Sequence, residues 1–234
     1  MDDAAELARA KERGWREISR INEDYAAGRI DQAGWHDAVL ALIEPAYLGG
    51  DNPRAQSGHS GDAARWRRAR ALLVDALPVG GGTFLDVGCA NGHLMDTLTG
   101  WAADAGIAIE PFGIDISAKL AQLARDQHPA WADRIWTANA AAWSPPRRFD
   151  IVRTGLDYVP APRRPDYLAH LLANILAPGG RLVVGVFNEE SDQEILEQQV
   201  SALGYRIAGR TRAVHPHPAL SYKAFWIGSD DASS

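Results

Sequence analysis

The stretch TFLDVGCANGHLMDTL, Thr83–Leu98, decides how this sequence folds. Residues Thr83–Val87 form a β-prone apolar run interrupted only by Asp86, Gly88 and Gly92 mark a tight turn, and a helical stretch follows from near His93. Glycine lacks a Cβ, so the chain can turn sharply there and a ligand can come close to the backbone. The N–H groups at the helix start then face whatever lies beyond the strand end. The unit reads as a ligand cradle, although an ordinary strand-to-helix connection uses the same residue types.

Working outward, β-rich runs alternate with helical ones, the pattern of βαβ crossovers in a parallel sheet. The expected strands are 83–87, 112–116, 134–137, 149–153, 181–187, 205–211 and 222–227, with helices such as 118–126 and 167–176 between them. Only HPHPALS, 215–221, separates the last two strands, too short for a helix, so the final strand should run antiparallel to its neighbour. The expectation is an α/β fold: a Rossmann-like, seven-stranded, mostly parallel sheet with an antiparallel last strand and helices on both faces. An all-parallel dinucleotide-binding sheet joins its last strands by crossovers and does not have this hairpin.

Upstream, Leu7, Trp15, Ile18, Ile21 and Tyr25 share one helical face, and a second helix over 32–47 would bury Trp35, Val39, Leu42, Ile43 and Ala46. The polar loop DNPRAQSGHSGD, 51–62, leads to a third helix capped by Asp62. We expect residues 1–78 to form a helical cap or lid and 79–234 the sheet domain. The segment RWRRAR, 65–70, sets Arg65, Arg67, Arg68 and Arg70 opposite Trp66, Ala69 and Leu73 and reads as a solvated face.

A second signal lies in GIDIS, where Asp115 ends the next strand about 23 residues after Gly92. An acid at that separation can accept both hydroxyls of a ribose; a helix cap is the plainer use of the same carboxylate. With both signals in view, LDVGCANG resembles motif I of the class I S-adenosylmethionine-dependent methyltransferases, D/E-x-G-x-G-x-G, here Asp86, Gly88, Ala90 and Gly92, with Ala90 in place of the middle glycine. The similarity continues through GIDIS, Ala138–Ala140, RFDIVRT and LAPGGRLVV, and covers 83–227. It implies S-adenosylmethionine as cofactor, with S-adenosylhomocysteine as product. Asp86 and the backbone of Gly88, Cys89, Ala90, Asn91 and Gly92 would hold the methionine part, Asp115 the ribose, and Asn139, Ala140 and Ile116 the adenine, with Thr154 completing the set. The loop is G-x-A-x-G rather than the dinucleotide G-x-G-x-x-G. The preceding Asp86 would repel a pyrophosphate but suits an ammonium group, unless it merely caps backbone.

Ligands in open α/β sheets bind beyond the carboxyl ends of the strands, which puts TGLDYVP, 154–160, and HPHP, 215–218, on the working side. Asp157, Tyr158, His215 and His217 are therefore the catalytic candidates. Each also has a plain reading as a loop cap, a packed ring or a solvated histidine. The loop at 51–62 looks like a lid in which Arg54 pairs with the cofactor carboxylate and Gln56, Ser57 and His59 reach cofactor or acceptor. Trp15, Trp35 and Trp66 would wall the acceptor pocket or simply pack a core. No metal site is expected.

Hydrophobic residues are 46% and charged residues 23% of 234, within the globular range, and no apolar run is long enough to span a membrane. A single cysteine, Cys89, excludes an internal disulfide. The acidic N-terminus lacks a secretory signal, and a cytoplasmic protein is expected. The net charge of −6 disfavours nucleic acid as a partner. The resemblance implies methyl transfer to an oxygen or nitrogen of a small molecule, in specialised metabolism. The alternatives are an RNA methyltransferase of the same fold, motivated by the arginine helix, and a non-catalytic domain that keeps the cofactor fold.

Overall fold

The structure is a computed structural model that describes residues 3–186, 195–215 and 221–228; the side chains of 3–13, Trp15 and Val186 lie outside the described set. Among the described residues the strands are β1 (Gly82–Val87), β2 (Ile109–Asp115), β3 (Ile135–Thr137), β4 (Phe149–Thr154), β5 (Leu176–Val186), β6 (Gly209–Val214) and β7 (Ser221–Gly228). They form one sheet in the order β3-β2-β1-β4-β5-β7-β6. Strands β1 to β5 pair in parallel, and β7 runs antiparallel to both β5 and β6. This is the expected sheet with its terminal hairpin.

The helices are α1 (Asp3–Ala26), α2 (Gln32–Leu48), α3 (Ala63–Arg70), α4 (His93–Asp104), α5 (Ala118–Gln127), α6 (Arg164–His170) and α7 (Ile195–Ala202). Strand residues alternate between two buried faces, as central parallel strands must. Phe84, Ile151 and Val183 face Trp66, Met95, Leu98, Ala121 and Ala124 of α3, α4 and α5. Leu85, Val152, Leu182 and Val184 face Tyr167, Leu168 and Leu171 of α6 and the turn after it, and Val200 of α7.

Several boundaries differ from the sequence reading for physical reasons. Strand β2 begins at Ile109 and runs through Pro111, which is tolerated because β3 pairs only with Gly113–Asp115, so β2 has an open side there. Strand β5 begins at Leu176, which pairs with Phe149 before a register shift, so the helix expected to reach 176 ends one residue earlier in a π turn. Strand β6 lies at Gly209–Val214 rather than 205–211. Its register is set by β7, and the ring of Trp226 lies against Gly209 where a side chain would collide.

Asp62 caps α3 by accepting from Arg65 N at 2.8 Å, as expected. The arginine helix is not a solvated face, however. Arg70 follows Trp66 by four residues, hence shares its side of the helix, and its guanidinium lies 5.0 Å from the Trp66 ring. Arg65 donates to the Tyr222 hydroxyl at 2.9 Å, which leaves only Arg67 and Arg68 exposed. The turn after α3 buries Leu72, Leu73 and Ala76, so residues 63–77 pack under the sheet. No helix among the described residues is long and apolar enough to cross a membrane.

Candidate functional site

The turn after β1 is built from three left-handed residues, Gly88 (φ +71°), Ala90 (φ +48°) and Gly92 (φ +79°). Alanine tolerates this conformation poorly, so Ala90 holds it against a local cost of about 1–2 kcal/mol. The loop is tied to the end of β2: Gly88 N and Cys89 N both donate to Ile114 O, at 2.8 and 3.1 Å. Cys89 itself is buried, and its thiol pKa is raised well above the usual value by that burial.

Asp115 completes the tie. Its Oδ2 accepts from Ala90 N and its Oδ1 from Ser117 N, each at 2.8 Å, while the helix α5 is capped by Ser117 instead. Burial raises the Asp115 pKa to about 6, against the lowering effect of those two bonds. A carboxylate has about four lone-pair sites, so these two bonds use only half of them. Beside it Ile116 is 38% exposed, an apolar surface at the tip of β2.

Asp86 has different surroundings. It sits opposite Arg153 in the β1–β4 register, and Arg153 Nη1 donates to Asp86 Oδ1 at 3.0 Å, to Tyr158 Oη at 3.0 Å and to Val87 O at 3.3 Å. Both partners are buried; burial pushes the Asp86 pKa up and Arg153 opposes that rise. Arg70 lies close enough that burial, and then the Arg153 charge, lower its pKa to about 9. The Tyr158 ring rests on Gly88, where a Cβ would lie 2.9 Å from Cζ, and burial raises the phenol pKa.

Helix α2 roofs this crevice. His36 meets both the loop after β3 and the loop after β4, through Asn139 Nδ2 at 3.2 Å and Tyr158 O at 3.1 Å. Glu44 accepts from Ser117 Oγ at 2.5 Å and from Lys119 Nζ at 2.8 Å. Tyr47 lies against Gly58, and its pKa is raised by burial and then by the charges of Asp157 and Asp115.

A methyltransferase-domain family profile matches residues 59–222 of the chain. The chain belongs to the class I S-adenosylmethionine-dependent methyltransferases. It is 32% identical over 173 residues to a trans-aconitate 2-methyltransferase of Rhodopseudomonas palustris (strain HaA2), a match that covers 68% of this chain and 62% of that protein. The chain thus spans less than two thirds of that relative. Among solved structures, the fold resembles 1,6-didemethyltoxoflavin-N1-methyltransferase of Burkholderia thailandensis, solved with bound 1,6-didemethyltoxoflavin and S-adenosylhomocysteine (TM-score 0.62, 15% identity, 85% and 90% of the two chains). It also resembles the N-methyltransferase NodS of Bradyrhizobium japonicum WM9 with S-adenosylhomocysteine (TM-score 0.58, 17% identity, 81% and 97%).

In this methyltransferase the expected residues separate into groups. Gly88, Cys89, Ala90, Asn91, Gly92, Asp115 and Ile116 meet at the tips of β1 and β2, with Asn139 and Ala140 reaching them through the bond from Ala138 N to Asp115 O. Asn91 is buried and joins the glycine loop to the 51–62 loop: its amide reaches Pro53 O at 3.0 Å and Gln56 Oε1 at 3.3 Å, and Ser57 Oγ donates to its Oδ1 at 2.5 Å. Arg54 Nε reaches Gly61 O within its own loop, and His59 stands edge-on to Trp66. Thr154 is turned into the core, bonded to Tyr167 Oη at 2.6 Å. Asp157 is exposed at the mouth.

His215 is buried against the Tyr222 ring, 4.9 Å between centroids, at the β6–β7 edge of the sheet; His217 lies outside the described residues. Trp35 and Trp66 are buried, with indole N–H groups donating to Asn22 and Thr97. No group of three or more His, Cys, Asp or Glu among the described residues is arranged to hold a metal ion.

Sequence reasoning missed Arg153, Arg70, His36 and Tyr47. A signal existed for the first. FDIVRT places a charge in an otherwise apolar strand, and a charge buried there requires a partner, for which Asp86 on the neighbouring strand is available. No comparable signal marks His36 or Tyr47, because the docking of α2 is not encoded in local periodicity.

Proposed function

We propose that this chain moves a methyl group from S-adenosylmethionine to an oxygen or nitrogen of a small molecule, and that the acceptor is a small carboxylic acid methylated on oxygen. The observation that carries the cofactor reading is the 2.8 Å bond from Ala90 N to Asp115 Oδ2. It locks the acid of β2 to the glycine loop of β1 and keeps lone pairs of a buried carboxylate for the ribose hydroxyls. Ile116, Asn139 and Ala140 would hold the adenine. At the amino-acid end the fit departs from the sequence expectation: Asp86 is engaged by Arg153, and two guanidinium groups, Arg70 and Arg153, adjoin one carboxylate. Arg70 would take the carboxylate role given to Arg54, while Gln56 and Ser57 act on the loop through Asn91.

When bound, the cofactor supplies an electrophilic methyl on a neutral leaving group, so the protein has chiefly to orient the acceptor. Among the described residues, none is poised as a strong base. Tyr158 holds its proton because burial raises its pKa, a rise that the neighbouring Arg153 charge opposes without reversing. A carboxylic acid is ionised near neutral pH and needs no base. Arg70 and Arg153 offer guanidinium groups to an anion, and the relative of known activity is named for trans-aconitate, itself a small carboxylic acid.

Two measurements test this reading. Asp115→Ala should weaken S-adenosylhomocysteine binding about 100-fold in calorimetry, the loss of two charge-assisted hydrogen bonds. Binding equal to the parent ends the cofactor assignment. With labelled cofactor and a panel of carboxylic acids, phenols and amines, label should enter the acids; transfer confined to amines ends the acceptor assignment.

A further inference from the structure

We infer that His36 is a positioning residue that clasps the two loops of the crevice in one arrangement, so that adenine-side and acceptor-side contacts form together; this rests on the cofactor reading above. The ring is buried, 8% exposed, and stands edge-on to Trp35 at 5.2 Å. Its hydrogen bonds have a fixed sense. Asn139 Oδ1 accepts from Ala141 N at 3.0 Å, which orients the amide so that Nδ2 faces His36 and donates to Nδ1. Nδ1 is therefore an acceptor, the proton sits on Nε2, and Nε2 donates to Tyr158 O at 3.1 Å. A single side chain of α2 thus spans the loop carrying Asn139 and the loop carrying Asp157 and Tyr158.

The helix that carries His36 is itself fixed at both ends. Asp31 caps it by accepting from Gly34 N at 2.9 Å, and Glu44 binds Ser117, two residues from Asp115, and Lys119. Movement of the roof would therefore be transmitted to Asn139 and Tyr158 at once, through His36. Because His36 acts on the cofactor through Asn139, the two residues should contribute to binding as a unit rather than independently.

The test is a double-mutant cycle in the full chain, read by calorimetric binding of S-adenosylhomocysteine. His36→Phe and Asn139→Ala should each weaken binding about tenfold, and the double variant should be no weaker than the worse single one. His36→Gln, which can still offer an amide donor toward Tyr158 O, should stay within about threefold of the parent. Parent-like binding by His36→Phe, or a double variant weakened by the product of the single losses, overturns the inference. Should His36→Phe lose its cooperative melting transition, the same cycle with His36→Leu decides by the same criteria. Asp115→Ala run alongside keeps the two claims apart. If it binds as the parent does, the cofactor reading has failed; if it fails to bind while His36→Phe binds normally, only the clasp has failed.

Discussion

Cofactor affinity should fall with pH below about 6, and the reason lies in Asp115. In the proposed cofactor site its ionised carboxylate accepts from the ribose hydroxyls, yet burial raises its pKa from 3.8 to about 6. If only the ionised form binds, the apparent dissociation constant grows by one plus ten to the power of pKa minus pH. That is about twofold at pH 6 and about elevenfold at pH 5 relative to the plateau near pH 8. Stability has the opposite sign. The folded pKa is raised, so the contribution of Asp115 is present below about pH 4 and is lost as pH rises through about 6, up to roughly 3 kcal/mol for a shift of about two units. Calorimetry of S-adenosylhomocysteine from pH 5 to 8, and urea unfolding over the same range, separate the two. Asp115→Asn should bind weakly at every pH with no slope near 6, and its stability relative to the parent should improve as pH rises. A parent whose affinity is flat between pH 7 and 5, or a slope that survives in Asp115→Asn, refutes the reasoning.

Two further outcomes follow from the same loops. Asp86→Ala leaves Arg153 buried beside Arg70 without its carboxylate and should cost about 3–5 kcal/mol in denaturant unfolding, with Arg153→Met restoring part of that loss in the double variant. Additive losses would mean the pair is not coupled. Ala90→Gly removes a left-handed alanine and should raise stability by about 0.5–1 kcal/mol, the relieved strain less the backbone entropy of glycine; a lower melting temperature would contradict the strain.

How much of this was legible in the sequence depends on how local each determinant is. The sheet, its antiparallel hairpin and the glycine turn were readable because residues close in the chain specify them: Gly88 and Gly92 for the turn, and the six residues between β6 and β7 for the hairpin. Strand ends were less readable, since Pro111 is permitted only by the shortness of β3 and Gly209 is placed by Trp226 from another strand. The partners of the glycine loop were least readable. Arg70 was taken for a solvated charge because polarity alone was read, although its four-residue spacing from Trp66 turns it inward. The reach of His36 to Asn139 and Tyr158 spans more than a hundred positions and depends on how one helix docks.

The two acids of the crevice show why the motif alone did not assign their roles. Asp86 and Asp115 end adjacent strands, both are buried, and the charge of Asp86 adds to the rise in the Asp115 pKa. The fold neutralises one of them with a guanidinium from the neighbouring strand and holds the other only with backbone N–H groups. An ion pair occupies Asp86 and lowers its appeal for any further cation, whereas neutral donors orient Asp115 and leave its charge to be shared with a ligand. The acid within the glycine motif therefore acts on the floor of the crevice through Arg153 and Tyr158. The acid at the tip of β2 is the one whose titration should govern binding.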